Sequence, residues 1–342
     1  MAHAAAEQAE KGSVGLPAAP TWEEVQIALL AGEASPVVVR YRALFHAKQV
    51  APSPADAGEL LERSLRLQSD SVLLRHEVAY VLGQLGRPSA VPLMRAVLMD
   101  EAEDEIVRHE AAEALAALSQ RSQSPDFDSR MMASELEALA AQTASISLRH
   151  TCELAAAGLL MGDADDSGAS KIPVCVCQYT SKDPAPGLVN ATDVDVPAAA
   201  AILADVTLPL YERYKGMFTL RNVGGEMAVK ALAGMLLADT TSAVLRHEVA
   251  FVLGQMEDEA AAEALAQALA RPEEHGMVRH EAAIALGAIG TPIAEMSLRE
   301  HLHDSDKLVA ESCEVALATA AYWRAWEELE ARIKGPQASL DS

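Results

Sequence analysis

The stretch LRHEVAYVLGQL at positions 74–85 returns almost unchanged as LRHEVAFVLGQM at positions 245–256. A second stretch, VRHEAAEALAAL at 107–118, returns as VRHEAAIALGAI at 278–289. Each stretch contains the core Arg-His-Glu-(Val/Ala)-Ala, and the two copies within each half are 33 residues apart. The chain of 342 residues is therefore an internal duplication, in which each half carries two His-Glu pairs.

These stretches have the apolar spacing of helices. In the first copy, Val78, Val81, Leu82 and Leu85 follow His76 at helical spacing and form one apolar face. Half of the residues are apolar but only 4% are aromatic, which favours closely packed helices over a sheet. Two helices in each period of about 33 residues indicate an α-solenoid, in which neighbouring repeats cover each other's apolar faces. We therefore predict an all-α fold, an α-solenoid of helical hairpins in two pseudo-symmetric halves of about four repeats each.

The repeats are interrupted once along the chain. We predict an N-terminal repeat half at 21–161, a linker at 162–195 and a C-terminal repeat half at 196–334. The linker contains Gly, Ser, Asp and Pro in place of helical periodicity. It also contains Cys175 and Cys177, which we interpret as two incidental thiols because no second cysteine pair lies nearby. The N-terminal extension before residue 21 and the C-terminal tail KGPQASLDS are predicted to be disordered.

The net charge of −23 argues against a nucleic-acid partner and suits a cationic one, which it would attract over long range. The acidic run at 100–105 is predicted to be an exposed loop between helices. No apolar run is long enough and free enough of charge to predict a membrane span. The N-terminus lacks the pattern of a secretory signal, and the four cysteines suit a reducing compartment, so we predict a cytoplasmic location.

The His-Glu pairs occupy positions that stacked helices can bring together. Equivalent residues on neighbouring parallel helices lie about 8–10 Å apart. His76 and His109 can therefore converge on one ion, with Glu110 or Glu77 completing the ligand set. The first half of the chain thus carries one candidate metal site.

The second half repeats this arrangement with His247 and His280, and with Glu281 or Glu248 as the carboxylate. If the halves face each other, four imidazoles and four carboxylates surround one cavity. Imidazole and carboxylate without thiolate select Fe(II), Mn or Zn. A purely structural repeat is the alternative, but packing positions hold apolar or small residues, so four titratable pairs favour a metal site.

The four Arg-His-Glu-(Val/Ala)-Ala motifs, the two halves and the HEAT-like repeats resemble the deoxyhypusine hydroxylase family over residues 35–330 or so. The resemblance implies a di-iron monooxygenase with two Fe(II) ions per chain and O₂ as co-substrate. It further implies a protein substrate, the deoxyhypusine form of eukaryotic translation initiation factor 5A. Hydroxylation of that side chain is the final step of hypusine synthesis.

The resemblance also implies a role for each residue of the motifs. One iron would be held by His76, His109 and Glu110, and the other by His247, His280 and Glu281. The two remaining glutamates, Glu77 and Glu248, would hold the substrate amine. The extended N-terminus and the longer linker depart from the family pattern.

Two functions of other classes use the same features. One is a non-catalytic HEAT-repeat scaffold for protein interactions, and the other is a Zn-dependent hydrolase with the same ligands. Leftover carboxylates that can hydrogen-bond an ammonium favour the hydroxylase, whose substrate side chain is a long cation.

Overall fold

The computed structural model describes residues 19–67, 71–121, 128–164, 183–188 and 191–334, together with Tyr179. Within these residues every regular element is a helix and no strand occurs. The helices of the first half are α1 (Trp22–Leu30), α2 (Val37–Val50), α3 (Pro54–Leu65), α4 (Val72–Leu85), α5 (Val91–Met99), α6 (Glu105–Arg121), α7 (Ser129–Gln142) and α8 (Ile146–Ala164). Those of the second half are α9 (Val196–Ala204), α10 (Leu210–Val223), α11 (Gly225–Ala238), α12 (Ala243–Met256), α13 (Ala262–Ala270), α14 (Gly276–Ile289), α15 (Pro292–Glu300) and α16 (Lys307–Lys334).

Consecutive helices pair into eight hairpins, four in each half of the described chain. The second helices stack directly on one another, α4 on α6 and α12 on α14. The first helices form a second layer, with α1 against α3 and α11 against α13. The predicted all-α solenoid of two halves with about four repeats each is confirmed.

The two halves also meet at both of their ends. Helix α8 at the end of the first half contacts α10 and α12 of the second. Helix α16 at the end of the second half returns to contact α2 and α4 of the first. Val37, Leu73, Leu74 and Val315 form a separate buried cluster at this second junction. The hairpins therefore close into a ring, and the second helices of the two halves face each other across it.

Several helices begin at a side chain that caps the first turn. Thr21 and Glu24 form a capping box at the start of α1, in which Glu24 N donates to Thr21 Oγ1 at 3.3 Å and Thr21 N donates to the Glu24 carboxylate at 2.7 Å. Ser71 and Ser242 cap the two equivalent helices α4 and α12, accepting from Leu74 N at 3.3 Å and from Leu245 N at 3.2 Å. Equivalent helices in the two halves thus begin at equivalent serines.

Glycine allows the second helices to approach closely. A Cβ on Gly83 would lie 2.9 Å from Ala114 Cα, and one on Gly254 would lie 3.0 Å from Ala285 Cα. Both contacts involve backbone, which cannot move aside as a flexible side chain can. The Gly–Ala pairs therefore set the spacing between α4 and α6 and between α12 and α14, close to the His-Glu motifs.

The division into halves at 21–161 and 196–334 stays our proposal for the domain organisation, and the hairpin pairing described above supports it. Several sequence predictions lie outside the described residues. They concern the terminal segments predicted to be disordered, most of the linker, and Cys175 with Cys177. Among the described helices, none is long and apolar enough to cross a membrane.

Candidate metal centre

Each of the four motif histidines is the fifth residue of its helix. His76 lies on α4, His109 on α6, His247 on α12 and His280 on α14. These are the second helices of the two middle hairpins in each half. Because such helices stack side by side, the shared register carries all four imidazoles to the same level of the ring.

The arginine before each histidine anchors its helix to the preceding one. Arg108 Nε donates to the carbonyl of Leu98 at 2.9 Å, and Arg279 Nε donates to that of Leu269 at 2.8 Å. These acceptors lie in the last turn of α5 and α13, where helix carbonyls have no partner within the helix. The arginine of the motif therefore caps the first helix of the hairpin and fixes the approach of the second.

Arg246 and Arg75, the motif arginines of the other two helices, pair with acidic residues of the next loop. Arg246 Nη2 lies 2.6 Å from Glu274 Oε1, and Arg75 forms the equivalent ion pair with Glu103. The acidic run at 100–105 does connect two helices, as predicted. The prediction that it is exposed is wrong for Glu103, whose side chain is only 9% accessible because it packs on Arg75.

The four imidazoles form one cluster that spans the two halves. Within a half, His76 and His109 have ring centroids 6.5 Å apart, and His247 and His280 have centroids 6.0 Å apart. Between halves the distances are as short, 5.1 Å from His76 to His280 and 5.3 Å from His109 to His247. The predicted convergence of four imidazoles is therefore present.

The four motif carboxylates are all buried and lie around the imidazoles, and the space between these eight side chains is called the cavity. Glu110 Oε2 lies 3.4 Å from His76 Nε2. Glu281 Oε2 lies between the two histidines of its half, 3.7 Å from His247 Nε2 and 3.5 Å from His280 Nε2. Glu77 contacts its neighbour His76 at 3.7 Å, measured from Oε1 to Nδ1.

Six ring nitrogens in this cluster have no hydrogen-bond partner among the described residues. They are Nδ1 and Nε2 of His76 and His247, and Nε2 of His109 and His280. A buried polar atom without a partner costs about 1–3 kcal/mol, and a bound cation would satisfy several of these nitrogens at once. Two groups have donor atoms within 4.8 Å of one another, namely His76 with His109 and Glu110, and His76 with His247 and His280. The residues present can therefore hold metal.

The electrostatics at three of the four imidazoles suit metal binding. Burial and the neighbouring His76 lower the pKa of His109 to about 3, and burial lowers the pKa values of His247 and His280 well below normal. At His76, burial is outweighed by Glu110 and Glu77, which raise its pKa to about 10. Three of the four imidazoles thus keep free lone pairs at neutral pH, as metal ligands require.

The carboxylates are held in an environment that disfavours their charge. Burial, Asp183 and Glu110 raise the pKa of Glu248 to about 8, and burial with Glu77 raises the pKa of Glu281 well above normal. A bound cation would offset this cost by pairing with the ionised forms.

Comparison with known proteins decides the family. Residues 26–154 and 229–318 match HEAT repeats. The chain is 40% identical to mouse deoxyhypusine hydroxylase over 287 residues, which cover 84% of this chain and 87% of the mouse protein. The chain belongs to the deoxyhypusine hydroxylase family. The solved structure of human deoxyhypusine hydroxylase in complex with glycerol matches at 37% identity with a TM-score of 0.76, covering 88% of this chain and 96% of the human one.

Fungal members of the deoxyhypusine hydroxylase family match over a shorter part. The Saccharomyces cerevisiae protein is 39% identical over 210 residues, and the chain spans 61% of its length. The Candida glabrata protein is 40% identical, and the chain spans 58% of its length. Across these relatives, the chain spans about three fifths of the protein it matches.

This member of the deoxyhypusine hydroxylase family is asymmetric one helical turn beyond the ligands. The residues four positions after the histidines are Tyr80 and Glu113 in the first half, and Phe251 and Ile284 in the second. All four are half-buried. The aromatic ring centroids of Tyr80 and Phe251, which belong to opposite halves, are 6.3 Å apart. At these positions the first half therefore has polar groups where the second half has apolar side chains.

Glu113 is a fifth carboxylate that the sequence interpretation did not include. Its Oε1 lies 3.8 Å from His109 Nε2 and has no hydrogen-bond partner among the described residues. Burial and the carboxylates of Glu248 and Glu110 raise its pKa well above normal. The signal was present in the two repeat stretches, since Glu113 in the first half stands where the second half has Ile284.

The hydroxyls of Thr151 and Ser312 were also missed, because both residues lie in the last hairpin of their half, which has no His-Glu pair. Thr151 Oγ1 lies 2.6 Å from His109 Nδ1, and Ser312 Oγ lies 2.9 Å from His280 Nδ1. The available signal was the matching Cys-Glu that follows each residue, Cys152-Glu153 and Cys313-Glu314. This sequence match aligns Thr151 with Ser312.

Proposed function

We propose that this protein hydroxylates the deoxyhypusine side chain of a protein substrate, the deoxyhypusine form of eukaryotic translation initiation factor 5A. A cluster of four buried imidazoles with unpaired nitrogens, in a chain of the deoxyhypusine hydroxylase family, supports this proposal most directly. A scaffold without catalysis would have no use for buried nitrogens that lack partners.

The proposed ligands divide by half. His76, His109 and Glu110 would hold one iron, and the opposite half would supply His247, His280 and Glu281 for the other. Two histidines and one carboxylate on each ion leave positions open, as non-haem iron oxygenases require. When bound, the two irons would supply activation of O₂ for insertion of oxygen into a C–H bond.

The rest of the cavity would hold the substrate. Glu77 and Glu248 are buried but are not needed as ligands, so each can accept a charge-assisted hydrogen bond from a substrate ammonium. Glu113 adds a third acceptor on the side of the first half. From the opposite half, Phe251, whose ring lies 6.3 Å from that of Tyr80, would contact the methylenes of the side chain and help to hold one of them in position for attack.

The proposal is tested by metal analysis and by turnover. Purified protein should contain two irons per chain and, with O₂ and a reductant, should add one oxygen atom to the deoxyhypusine-bearing factor, as followed by mass spectrometry. Ala variants of the proposed ligands should lose iron and activity, whereas the exposed His303→Ala should keep both. Zinc at full occupancy with hydrolysis instead of oxygen insertion would favour the hydrolase, and turnover by His109→Ala would contradict the ligand assignment.

A further inference from the structure

The hydroxyl groups of Thr151 and Ser312 form the same chain of hydrogen bonds in the two halves. Thr151 Oγ1 donates to the carbonyl of Ser147 at 3.0 Å and lies 2.6 Å from His109 Nδ1. Ser312 Oγ donates to the carbonyl of Leu308 at 2.7 Å and lies 2.9 Å from His280 Nδ1. Both hydroxyls and both imidazoles are fully buried, with no accessible surface.

The direction of these bonds follows from the number of hydrogens. A hydroxyl has one hydrogen to donate and two lone pairs that accept. Since the hydrogen of Thr151 is directed to Ser147, the bond to His109 requires the imidazole Nδ1–H to be the donor. The same reasoning applies to Ser312 and His280. In each ring the proton then lies on Nδ1, and Nε2 carries the lone pair.

The unprotonated nitrogen is the one directed into the cavity. His109 Nε2 and His280 Nε2 have no hydrogen-bond partner among the described residues, and each lies within 4 Å of a cavity carboxylate. The other two histidines differ, since both nitrogens of His76 and of His247 are without hydrogen bonds. Each half therefore has one histidine fixed by a hydroxyl and one that is not.

We propose that Thr151 and Ser312 are positioning residues, which fix the ring orientation and tautomer of His109 and His280 so that Nε2 is presented to metal. Partners of this kind typically contribute about 10–100-fold to metal affinity. The part of the inference that concerns metal affinity rests on the proposed function, whereas the part that concerns the tautomer does not.

The test uses five variants of the full chain. Thr151→Val and Ser312→Ala remove the hydroxyls. Thr151→Ser and Ser312→Thr restore them with a different side chain. Thr319→Val on α16 is the matched control, because its hydroxyl also donates to a carbonyl four residues earlier, Val315 O at 3.0 Å, but bonds to no histidine in the described part of the chain.

The first measurement is nuclear magnetic resonance of the metal-free protein labelled with ¹⁵N in histidine. The Nδ1–H signals of His109 and His280 should be slow to exchange with water, and each should be lost only in the variant that lacks its own hydroxyl. Signals that survive in Thr151→Val and Ser312→Ala would overturn the inference, whatever the protein binds.

The second measurement is Fe(II) affinity under anaerobic conditions, from competition with a chelator. Thr151→Val should weaken the binding of one of the two Fe(II) ions by about 10–100-fold, and Ser312→Ala should weaken the binding of the other. The affinity should recover in Thr151→Ser and Ser312→Thr. Equal losses in the restoring variants or in Thr319→Val would show a general packing effect and overturn the positioning role. A wild-type chain that bound no iron but kept the protected Nδ1–H signals would refute the proposed function while leaving the tautomer assignment supported.

Discussion

The imidazole of His76 lies 5.1 Å from that of His280, centroid to centroid, although the two residues belong to opposite halves of the chain. This contact exists because α16 returns to pack on α2 and α4 and closes the ring of hairpins. The cluster of four imidazoles is therefore a property of the closed ring, although each half carries the proposed ligands of one ion.

Opening the ring should disable the site without unfolding the repeats. Val315 on α16 is 2% accessible and packs in the cluster with Val37, Leu73 and Leu74. Val315→Asp would place an unpaired carboxylate there, which is costly, so we expect the junction to separate while the stacked hairpins persist. Iron content should fall, the radius of gyration from X-ray scattering should rise, and helical circular dichroism should be retained. Met296→Asp, at a residue 58% exposed on α15, is the control and should change none of these.

The repeats and the His-Glu helices could be predicted from the sequence, because each hairpin depends on local apolar spacing and each motif recurs with its context. Ring closure could not be predicted in this way. The junction residues Val37 and Val315 look like any other core position, and only the three-dimensional curvature brings them together. Thr151 was missed for a related reason, since the matching Cys-Glu aligns it with Ser312 but does not show that either hydroxyl meets a histidine of the neighbouring helix.

Metal removal should leave the fold in place. The apolar faces stack along all eight hairpins, whereas the proposed ligands lie on only four helices. Iron-free protein should keep its helical circular dichroism and melt at a lower temperature, because an ion that binds only the folded state stabilises it. Melting curves recorded with chelator and after iron is restored would check this. Loss of helicity on chelation alone would mean that metal, rather than stacking, holds the repeats together.

A buried ion pair outside the site should make stability depend on pH. Asp239 Oδ2 lies 2.6 Å from Arg213 Nη2, and both side chains are almost inaccessible. Burial alone would raise the pKa of Asp239, but the guanidinium of Arg213 and the backbone N–H of Ser242 outweigh it and lower the pKa below its ordinary 3.8. The stabilisation is therefore fully present above pH 3.8 or so and is lost as the pH falls through the lower folded pKa.

Asp239→Asn should accordingly destabilise the chain at pH 7 by about 3 kcal/mol, because the charge of Arg213 is left buried without its partner. The difference between variant and wild type should shrink as the pH falls below 4 or so, where the wild-type carboxyl also becomes protonated. Urea unfolding of both proteins at pH 7 and at pH 3 measures this gap. A gap that stays constant over the range would show that charge pairing at Asp239 does not contribute to stability.

The last prediction separates the two kinds of motif glutamate. Glu110 and Glu281 lie within 3.7 Å of histidine Nε2 atoms in the cluster. Each carboxylate could therefore bind the same ion as the neighbouring imidazole. Glu77 instead lies beside His76 Nδ1, and Glu248 is buried near the carboxylates of Asp183 and Glu110. We expect Glu77→Ala and Glu248→Ala to keep their iron but to bind the deoxyhypusine-bearing factor more weakly, since each loses an acceptor for the substrate ammonium.

Turnover should fall in both variants, because a side chain held less firmly presents its methylene poorly to the centre. Iron content, substrate affinity and turnover would be measured together, with Glu110→Ala as the comparison that should lose iron. The exposed Glu226→Ala on α11 should match the wild type in all three. Iron loss in Glu77→Ala or Glu248→Ala as large as that in Glu110→Ala would make these residues ligands and overturn the division of roles.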